Sequence, residues 1–545
     1  MSRRLLSFIT VFAGICLALT MEPATLWSQT YTDLHDFDCA SEGCHPTYPE
    51  ILAQGRDGNL YGTTDSGGTS GMGTVFKITP SGLMTTLHNF SGADGQNPDG
   101  GLVLSTDGNF YGTTRFGGAN NLGTVFKFTP AGVLTTLHSF AGTDGSEPRP
   151  GLVQGKNGSF YGTTCGFNPP WTAYSITSSG KFKTINATND VRVAACSGGP
   201  LALGSDGNLY GTAISGGVTE QGAVFRLSPA GKLKVIWGFD GTHGSAPFAP
   251  VVQATDGFLY GTTAGGGSGV DGVAFKVSTN GKYTLLHEFG VDPNIDGFAP
   301  SAGVVAASDG RFYGATQVGE GGGSVPNGNL FSMTSNGSYS VLYAFDGPHG
   351  RATFATPMQH TNGKIYGMTE GGGVHEGGVV FSLENGAPPF VSLVTRWATA
   401  GQTVQILGQG FTGTTSVVFG TGSANFNVVS DTYMTAIVPN DGAAGFLTVT
   451  TPSGTLTSGR GFFVVPVISG ISPASGPVGT QVTITGSGFT GATLVKFGGV
   501  KAPVFTVNSG TTITVTVPAG AKTGKVSVKT PGGSASTKST FTVTP

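Results

Sequence analysis

Short alternating phrases of apolar and polar residues, separated by glycine turns, recur along the first two thirds of the chain. The phrase Asp-Gly-Asn-Leu-Tyr-Gly-Thr-Thr at 57–64 returns in seven copies, which are 50, 50, 49, 50, 53 and 53 residues apart. A period near 50 that is filled with strand-like phrases predicts one four-stranded blade of a β-propeller per repeat. The copies begin at Asp57, Asp107, Asn157, Asp206, Asp256, Asp309 and Asn362.

Each repeat alternates tight turns with long loops. The first and second strands are joined by a short turn such as Asp107-Gly108, and so are the third and fourth, because Gly tolerates a positive φ. The remaining connections are long and share the opposite face of the ring. Binding sites concentrate on loops held by a rigid scaffold, so we expect any site on this long-loop face. In the second repeat the strands are predicted at 102–105, 110–114, 124–129 and 133–140.

The two ends of the repeat region are complementary. No Leu-His-x-Phe phrase follows the third-strand phrase of the seventh repeat, at 378–381, but such a phrase stands alone at 34–37, before the first repeat. We therefore predict that residues 31–37 form the outer strand of the last blade, which closes the ring and leaves no unpaired edge. The predicted seven-bladed β-propeller spans residues 31–384.

The first 28 residues have the pattern of a secretory signal peptide, with Arg3 and Arg4 before an apolar stretch at 5–19. That stretch is short for a membrane span, and no hydrophobic tail is visible at 541–545, so no transmembrane segment is expected after signal removal. Charged residues make up 10% of the chain, and the net charge is −3 without a basic stripe, which argues against a nucleic-acid partner. We expect a monomer that is secreted, periplasmic or at the cell surface.

Four cysteines remain after the predicted signal, an even number that favours disulfides in an exported chain. Cys39 and Cys44 share one blade-to-blade loop. Cys165 follows the second strand of blade three and Cys196 lies in the loop to blade four, on the same face of the ring. We therefore predict the pairs Cys39–Cys44 and Cys165–Cys196, the second contributing ~3 kcal/mol on the chain-entropy estimate.

A different pattern follows a linker at 384–389 and occurs twice. The phrase Gly-Phe-Thr-Gly at 410–413 returns 78 residues later, at 488–491. Alternating strand-like segments in units of under about 100 residues predict two immunoglobulin-like β-sandwich domains, at 389–465 and 466–545. The expected fold class is therefore all-β, a seven-bladed β-propeller followed by two immunoglobulin-like β-sandwich domains.

Both regions resemble known families. The motifs Ile471-Ser472-Pro473 and Phe497-Gly498-Gly499 resemble the IPT/TIG family of immunoglobulin-like domains, although the first copy lacks the Ser-Pro phrase. This resemblance implies spacer or adhesive modules. The phrases Gly-Thr-Val-Phe-Lys and Tyr-Gly-Thr-Thr, over 31–383, resemble the Gloeobacter/Verrucomicrobia tandem repeat of exported bacterial proteins. That resemblance implies an exported repeat protein and supplies no catalytic residues.

Polar residues on the long-loop face are the main candidates for ligand contact. Asp94, Asp144, His243 and His349 each lie four residues after a strand-ending Phe, so they align around the ring. Turn-forming Asp-Gly explains most of these positions without a ligand. Oxygen ligands suit calcium, but no Asp-x-Asp-x-Asp spacing is present. No cofactor or metal is therefore predicted, and calcium is retained as the alternative. The candidate ligand-binding residues are Asp94, Asp144, Trp171, His243, Asp346, His349 and Glu370.

Blade three departs most from the repeat, because Asn-Pro-Pro-Trp at 168–171 replaces the usual glycine loop. Drift is one interpretation of this departure. The other is a specialised edge on which Trp171 is exposed for contact, since exposed aromatic residues favour recognition.

Two periodic sets of residues are predicted to be structural. The histidines in the outer-strand slot lie too far apart around a ring to converge on one metal, so we interpret them as packing residues. The once-per-blade tyrosines are predicted to be inter-blade core. The histidines are His35, His88, His138 and His287, and the tyrosines are Tyr61, Tyr111, Tyr161, Tyr210, Tyr260, Tyr313 and Tyr366.

The primary functional hypothesis is an exported, non-catalytic binding protein whose long-loop face recognises a glycan or an envelope protein. No Gly-x-Ser-x-Gly, His-Glu-x-x-His or phosphate-loop motif is present. The alternative is a propeller enzyme, such as a polysaccharide or lactone lyase, and a third possibility is a passive spacer. Lactone-opening lyases with seven blades have a loosely similar Asp-Gly-Asn turn, but only Glu370 fits their acidic position after the threonine.

Overall fold

The computed structural model describes residues 29–46, 52–166, 171–187, 198–291, 296–317 and 327–545. These residues form strands, turns and loops, and no helix is found among them. The predicted signal peptide, residues 1–28, lies outside the described residues.

The first 28 strands form seven antiparallel four-stranded sheets. The sheets are β2–β5, β6–β9, β10–β13, β14–β17, β18–β21, β22–β25, and β26–β28 with β1. These strands are β1 (Thr30–Asp36), β2 (Ala53–Gln54), β3 (Leu60–Thr64), β4 (Thr74–Ile78), β5 (Met84–Asn89), β6 (Val103–Leu104), β7 (Phe110–Thr114), β8 (Thr124–Phe128), β9 (Leu134–Ser139), β10 (Val153–Gln154), β11 (Phe160–Thr164), β12 (Thr172–Ile176), β13 (Phe182–Ala187), β14 (Ala202–Leu203), β15 (Leu209–Ala213), β16 (Ala223–Leu227), β17 (Leu233–Gly238), β18 (Val252–Gln253), β19 (Leu259–Thr263), β20 (Val273–Val277), β21 (Tyr283–Glu288), β22 (Val305–Ala306), β23 (Phe312–Ala315), β24 (Asn329–Met333), β25 (Tyr339–Ala344), β26 (Met358–Gln359), β27 (Ile365–Met368) and β28 (Val379–Glu384).

The last blade is completed by the start of the described chain. Strand β1 pairs antiparallel with β28, from Thr30 opposite Glu384 to Asp36 opposite Val379. This pairing matches the closure proposed from the sequence and gives the seventh sheet its outer strand. The ring therefore has no blade edge left unpaired by a missing strand.

The contacts of the repeat phrase explain why it recurs. In blade two, Asp107 accepts a hydrogen bond from the Asn109 backbone amide at 3.0 Å and one from the Tyr111 hydroxyl at 2.7 Å. The ring of Tyr111 stacks on Phe160 of the next blade at 3.9 Å between centroids. The tyrosine is thus a buried inter-blade residue with a satisfied polar end, as predicted. The same Tyr–Asp bond is made by Tyr61, Tyr210, Tyr260 and Tyr313, and an Asn replaces the Asp beside Tyr161 and Tyr366.

Glutamines tie neighbouring inner strands together. Each Gln on an inner strand accepts a hydrogen bond from a backbone amide in the first turn of the preceding blade. In the last link, Thr361 of blade seven donates to Gln54 of blade one at 3.0 Å. These links are made by Gln54, Gln154, Gln253 and Gln359.

The C-terminal strands form two sandwiches of the same topology. In each, two four-stranded sheets enclose a core around Phe419 or Phe497, and a short parallel pair joins the ends. The strands are β29 (Ser392–Leu393), β30 (Trp397–Ala398), β31 (Thr403–Leu407), β32 (Ser416–Phe419), β33 (Gly422–Ser423), β34 (Phe426–Ser430), β35 (Tyr433–Ile437), β36 (Leu447–Thr451), β37 (Gly454–Thr457), β38 (Phe463–Val464), β39 (Val467–Ser472), β40 (Ser475–Gly476), β41 (Gln481–Ser487), β42 (Leu494–Phe497), β43 (Val500–Lys501), β44 (Phe505–Ser509), β45 (Thr512–Thr516), β46 (Val526–Thr530), β47 (Gly533–Ser536) and β48 (Thr542–Val543).

The first sandwich contacts the short-turn face of the ring. Thr432 donates a hydrogen bond to the carbonyl oxygen of Arg56 at 2.8 Å, and the Arg56 guanidinium lies 4.7 Å from the centre of the Tyr433 ring. In blade seven, Thr361 accepts a hydrogen bond from Gln409 at 3.0 Å. The long-loop face is therefore on the side of the ring opposite this sandwich.

Candidate binding site

The aspartates predicted at the long-loop face are held inward by histidines of the same blade. His88 Nε2 lies 2.8 Å from Asp94 Oδ2, and His138 Nε2 lies 2.9 Å from Asp144 Oδ2. Asp94 also accepts hydrogen bonds from the amide and hydroxyl of Ser91. Burial raises the pKa of Asp94, but the bonds from Ser91 and His88 outweigh it and hold that pKa below its ordinary value. Asp94 and Asp144 therefore stabilise the conformation of their own loops through these hydrogen bonds.

The outer-strand histidines behave as packing residues with paired imidazoles, as predicted. His35 pairs with Glu42 at 2.6 Å and His287 with Asp296 at 3.2 Å. The ring of His287 stacks on Tyr339 of the next blade at 4.1 Å.

Blades four and six reverse this arrangement. Trp237 and Tyr343 occupy the outer-strand slot that holds His88 in blade one. The histidine now lies in the loop, paired with an aspartate three residues before it: Asp240 with His243 at 2.8 Å, and Asp346 with His349 at 2.7 Å. We call residues 240–243 and 346–349 the two Asp–His loops.

The side chains of both Asp–His loops remain open to solvent. Their exposed fractions are 41% for Asp240, 48% for His243, 52% for Asp346 and 52% for His349. Each Asp–His pair presents a carboxylate and an imidazole that can form hydrogen bonds or ion pairs with a ligand. By contrast, the side chains of His88 and Asp94 are 21% and 25% exposed.

Stacked aromatic residues from two blades support each loop. Trp237 stacks on Tyr283 at 4.4 Å, and the Tyr283 hydroxyl donates to the carbonyl oxygen of His243 at 2.8 Å. The second loop repeats this geometry, with Tyr343 stacked on Tyr31 at 3.8 Å. The Tyr31 hydroxyl donates to the carbonyl oxygen of His349 at 2.7 Å. Because Tyr31 lies in β1, ring closure also builds the second loop's support.

The second Asp–His loop is the more acidic one. Asp33 of β1 lies 3.9 Å from His349 Nε2, opposite Asp346 on the other ring nitrogen. The hydrogen bond with Asp346 raises the pKa of His349. Burial raises the pKa of Asp33. His349 is therefore biased towards its protonated form between two carboxyl groups.

The two remaining candidates, Trp171 and Glu370, belong to neither Asp–His loop. Trp171 is 0% exposed, so the interpretation of an exposed contact residue was wrong. Its ring packs edge-on against Phe225 of blade four at 5.8 Å, because it fills the inter-blade core at a position that is Gly123 in blade two. Glu370 is half-buried in blade seven, and burial raises its pKa.

Sequence reasoning missed Asp99, which is only 2% exposed at the start of the second blade. Burial, reinforced by the neighbouring Asp65 carboxyl, raises the pKa of Asp99 well above its usual range. Burial therefore favours the protonated form of Asp99. In the alignment of repeats the same position is Arg149 in the next blade, so periodicity carries no signal for it.

Three of the four cysteines that follow the predicted signal peptide lie within the described residues. Cys39 and Cys44 form a disulfide, as predicted, with 4.8 Å between their Cα atoms. Cys165 is also disulfide-bonded, and its predicted partner, Cys196, lies outside the described residues. Within the described part of the chain, one group has three potential metal-ligating residues, Cys39, Cys44 and His45. Its two sulfur atoms are in the disulfide, so they offer no thiolate to a metal.

Comparison with family models decides the classification. The Gloeobacter/Verrucomicrobia repeat model matches residues 20–169 and 166–381. The chain belongs to the Gloeobacter/Verrucomicrobia repeat family. The IPT/TIG domain model matches residues 389–464 and 466–543, so this repeat protein carries two IPT/TIG domains after its ring. No curated protein matches the chain.

Three solved structures that are similar to this repeat protein have sequence identities of 14%, 19% and 21%. A fungal alcohol oxidase of the AA5 family, in complex with copper, has 14% identity and a TM-score of 0.46, covering 78% of this chain and 100% of its own. The surface glycan-binding protein PbSGBP-B from Prevotella bryantii has 21% identity and a TM-score of 0.21, covering 29% of this chain and 39% of its own. SGBP-B from a xyloglucan utilization locus in Bacteroides uniformis has 19% identity and a TM-score of 0.16, covering 28% and 48%. These similarities carry no argument about function.

Within the described residues, no helix has the length and hydropathy needed to span a bilayer.

Proposed function

We propose that the protein is an exported, non-catalytic binding protein whose long-loop face recognises a glycan through the two Asp–His loops. The observation that carries this proposal is the repetition of one exposed arrangement in blades four and six. Each copy combines a carboxylate, an imidazole and a stacked aromatic pair. Binding sites combine a few placed polar groups with apolar and aromatic side chains, often on loops held by a rigid scaffold.

The chemistry of these loops suits saccharide hydroxyl groups. A carboxylate accepts hydrogen bonds and a protonated imidazole donates them, and the neighbouring aromatic faces provide apolar surface. The two loops lie on different blades of one rigid ring, so a polymeric ligand with repeated units is able to engage both and gain avidity. The IPT/TIG domains serve as spacer or adhesive modules in this proposal, and the location is extracellular, periplasmic or at the cell surface.

A glycan array with the purified full-length protein tests the proposal. We expect binding without turnover. Binding should weaken when Asp240 and His243 are replaced by Ala, and again when Asp346 and His349 are replaced. The proposal would be contradicted if the folded wild-type protein bound no glycan, or if it released product from a bound glycan. If it bound an envelope protein and no glycan, the long-loop face would be a site for a protein partner.

The matched control is the Asp–His pair of blade one. Asp94→Asn changes the same chemistry on the same face, but the pair is turned inward. We expect this variant to lower the melting temperature and to leave glycan binding unchanged. Equal loss of binding in the control would show that the loops act through stability rather than contact.

A further inference from the structure

A cavity lies away from the Asp–His loops, where the central channel of the ring meets the first IPT/TIG domain. Its volume is about 1010 Å³, at the upper end of the ~300–1,000 Å³ that small-molecule sites occupy. Six blades contribute inner-strand residues to its wall, and blade one contributes Leu52, which immediately precedes β2. Residues 390–398 of the first sandwich form much of the opposite wall. The turn 156–158 borders the cavity and is exposed, which gives the cavity an edge at the protein surface.

The wall of this cavity carries only positive charge. Among the described residues that line it, Lys156, Arg396 and Arg460 are cationic, and none is Asp or Glu. The whole chain has 30 acidic and 27 basic residues, so a cavity wall with basic and no acidic side chains differs from the overall composition. Burial lowers the pKa of Arg396 to about 9 and also lowers the pKa of Arg460. Both guanidinium groups remain charged at neutral pH.

The guanidinium groups of Arg396 and Arg460 lack hydrogen-bond and ion-pair partners within the described part of the chain. Of the lining glutamines, Gln154 and Gln253 have both amide atoms hydrogen-bonded to nearby turns. Oε1 of Gln405 has no hydrogen-bond partner among the described residues. Neither guanidinium donates a hydrogen bond to a described residue or forms an ion pair with one. Each therefore has five N–H donors available to a ligand or to water.

The ring of Trp397 contacts two of the three cationic side chains. The Lys156 ammonium lies 4.6 Å and the Arg396 guanidinium 4.7 Å from the centre of the Trp397 ring. Trp397 is 8% exposed, and its Nε1 has no hydrogen-bond partner among the described residues. Like charges held near one another in a cavity repel, and a bound anion relieves that repulsion. Arginine forks match carboxylate and phosphate geometry.

We propose that this cavity is a second binding site, for a small organic anion whose carboxylate or phosphate is held by Arg396, Arg460 and Lys156. The site is separate from the proposed glycan face, on the opposite side of the ring. Its ligand joins the ring to the first IPT/TIG domain, because Lys156 comes from blade three and both arginines come from the sandwich.

Isothermal titration calorimetry on the full-length protein tests this site, with galacturonate, glucose 6-phosphate, inorganic phosphate and neutral glucose as probes. We expect binding of at least one anion, weakening as salt concentration rises, and no binding of glucose. Galacturonate binding alone identifies a carboxylate site, and binding of glucose 6-phosphate or inorganic phosphate identifies a phosphate site. If the folded protein binds none of these anions at millimolar concentration, the proposal is overturned.

Arg460→Gln is the decisive variant, because no aromatic contact of Arg460 is lost. We expect it to weaken anion binding by about thirtyfold or more, while the unliganded protein melts at the same or a higher temperature. The matched control is Lys181→Gln, an exposed lysine in a turn of blade three that does not border the cavity. Unchanged anion affinity in both Arg460→Gln and Arg396→Gln would place the anion elsewhere and overturn the assignment.

Discussion

The glycine of each Tyr-Gly-Thr-Thr phrase lies beneath an aromatic ring of the neighbouring strand. A Cβ at Gly112 would stand 2.6 Å from Cζ of Phe126 and 3.1 Å from the carbonyl oxygen of Gly101. Real Cβ atoms do not approach that closely, so the ring must move in a close-packed core. We expect Gly112→Ala to lower the free energy of unfolding by about 1–3 kcal/mol, measured by chemical denaturation of the full-length protein.

Gly238 provides the matched control for that substitution. It lies in strand β17, and a Cβ there would have its nearest neighbours at 4.0 Å. Gly238→Ala should leave stability unchanged or raise it by a few tenths of a kcal/mol, roughly, through the unfolded chain. Equal destabilisation by both variants would refute the steric explanation for the glycine that recurs in each copy of the phrase.

The charge state of His349 is set by its loop. The hydrogen bond with Asp346 raises the pKa of His349 above its ordinary value. A raised pKa in the folded state stabilises the fold below the unfolded-state pKa, and that contribution is lost as pH rises through the folded-state value. Because His349 is half exposed, the energetic effect is small, and NMR titration is the better measurement.

In that titration, Asp346→Asn should lower the pKa of His349 towards ~6.5. Asp240→Asn, the same change in the other Asp–His loop, should leave His349 unaffected. If Asp346→Asn leaves the His349 titration unchanged, the pair does not control the imidazole.

At the scale of the strand, β1 determines whether the ring is closed. It contributes an antiparallel ladder to β28 and places Tyr31 against Tyr343. Deleting residues 30–36 leaves β28 as an exposed edge and removes the support of the second Asp–His loop. We expect a sharp fall in melting temperature in thermal unfolding monitored by circular dichroism.

Replacement of residues 30–36 by a Gly/Ser segment of equal length is the control for chain length. It should destabilise as much as the deletion, because it restores the length but not the aromatic contacts or strand propensity. Melting at the wild-type temperature for either variant would mean that the blade does not depend on β1.

Strand positions followed from the period and the turns, but the direction of loop side chains did not. In blade one, the ladder between β4 and β5 shifts register, so that Val75 faces His88 while Phe76 faces Thr86. This bulge redirects the outer strand next to the loop and aims His88 at Asp94. Sequence spacing places Asp94 on the correct face but carries no information about such a bulge. The same limit applies to Trp171, since burial there depends on space between two blades.

At the scale of the whole molecule, the sequence predicted separate modules but not their contact. The linker at 384–389 suggested independent domains, whereas the first sandwich covers one end of the channel. One pattern anticipates this contact. Basic residues stand immediately before the turn residue of the repeat phrase only in blades one and three, as Arg56 and Lys156. Both lie over aromatic rings of the sandwich, so at these two positions the departure from periodicity coincides with the interface.

Lys156 gives this interface a pH dependence that tests the anion site. Burial lowers the pKa of its ammonium to about 8, Asp206 of blade four acts in the opposite direction, and Arg396 of the sandwich adds to the lowering. Without ligand, the unfolded chain binds the proton more tightly than the folded one, so this residue makes stability rise as pH increases from about 8 towards ~10.4. A bound anion favours the charged lysine and so raises its pKa. Anion affinity should therefore fall as pH rises above about 8.

Comparison of wild type with Lys156→Met separates this effect from the titration of other groups. Methionine retains the apolar stem of the side chain without its charge. In urea unfolding of the unliganded proteins, the stability of the variant relative to wild type should be highest near pH 7 and should decline by pH 10. In calorimetry the variant should bind anions more weakly than wild type at pH 7. Its affinity should fall less than that of wild type above pH 8, because Arg396, whose pKa is about 9, still titrates there. A pH-independent stability difference between the two proteins would show that Lys156 does not titrate in this range, and the charge would then be fixed by the two arginines alone.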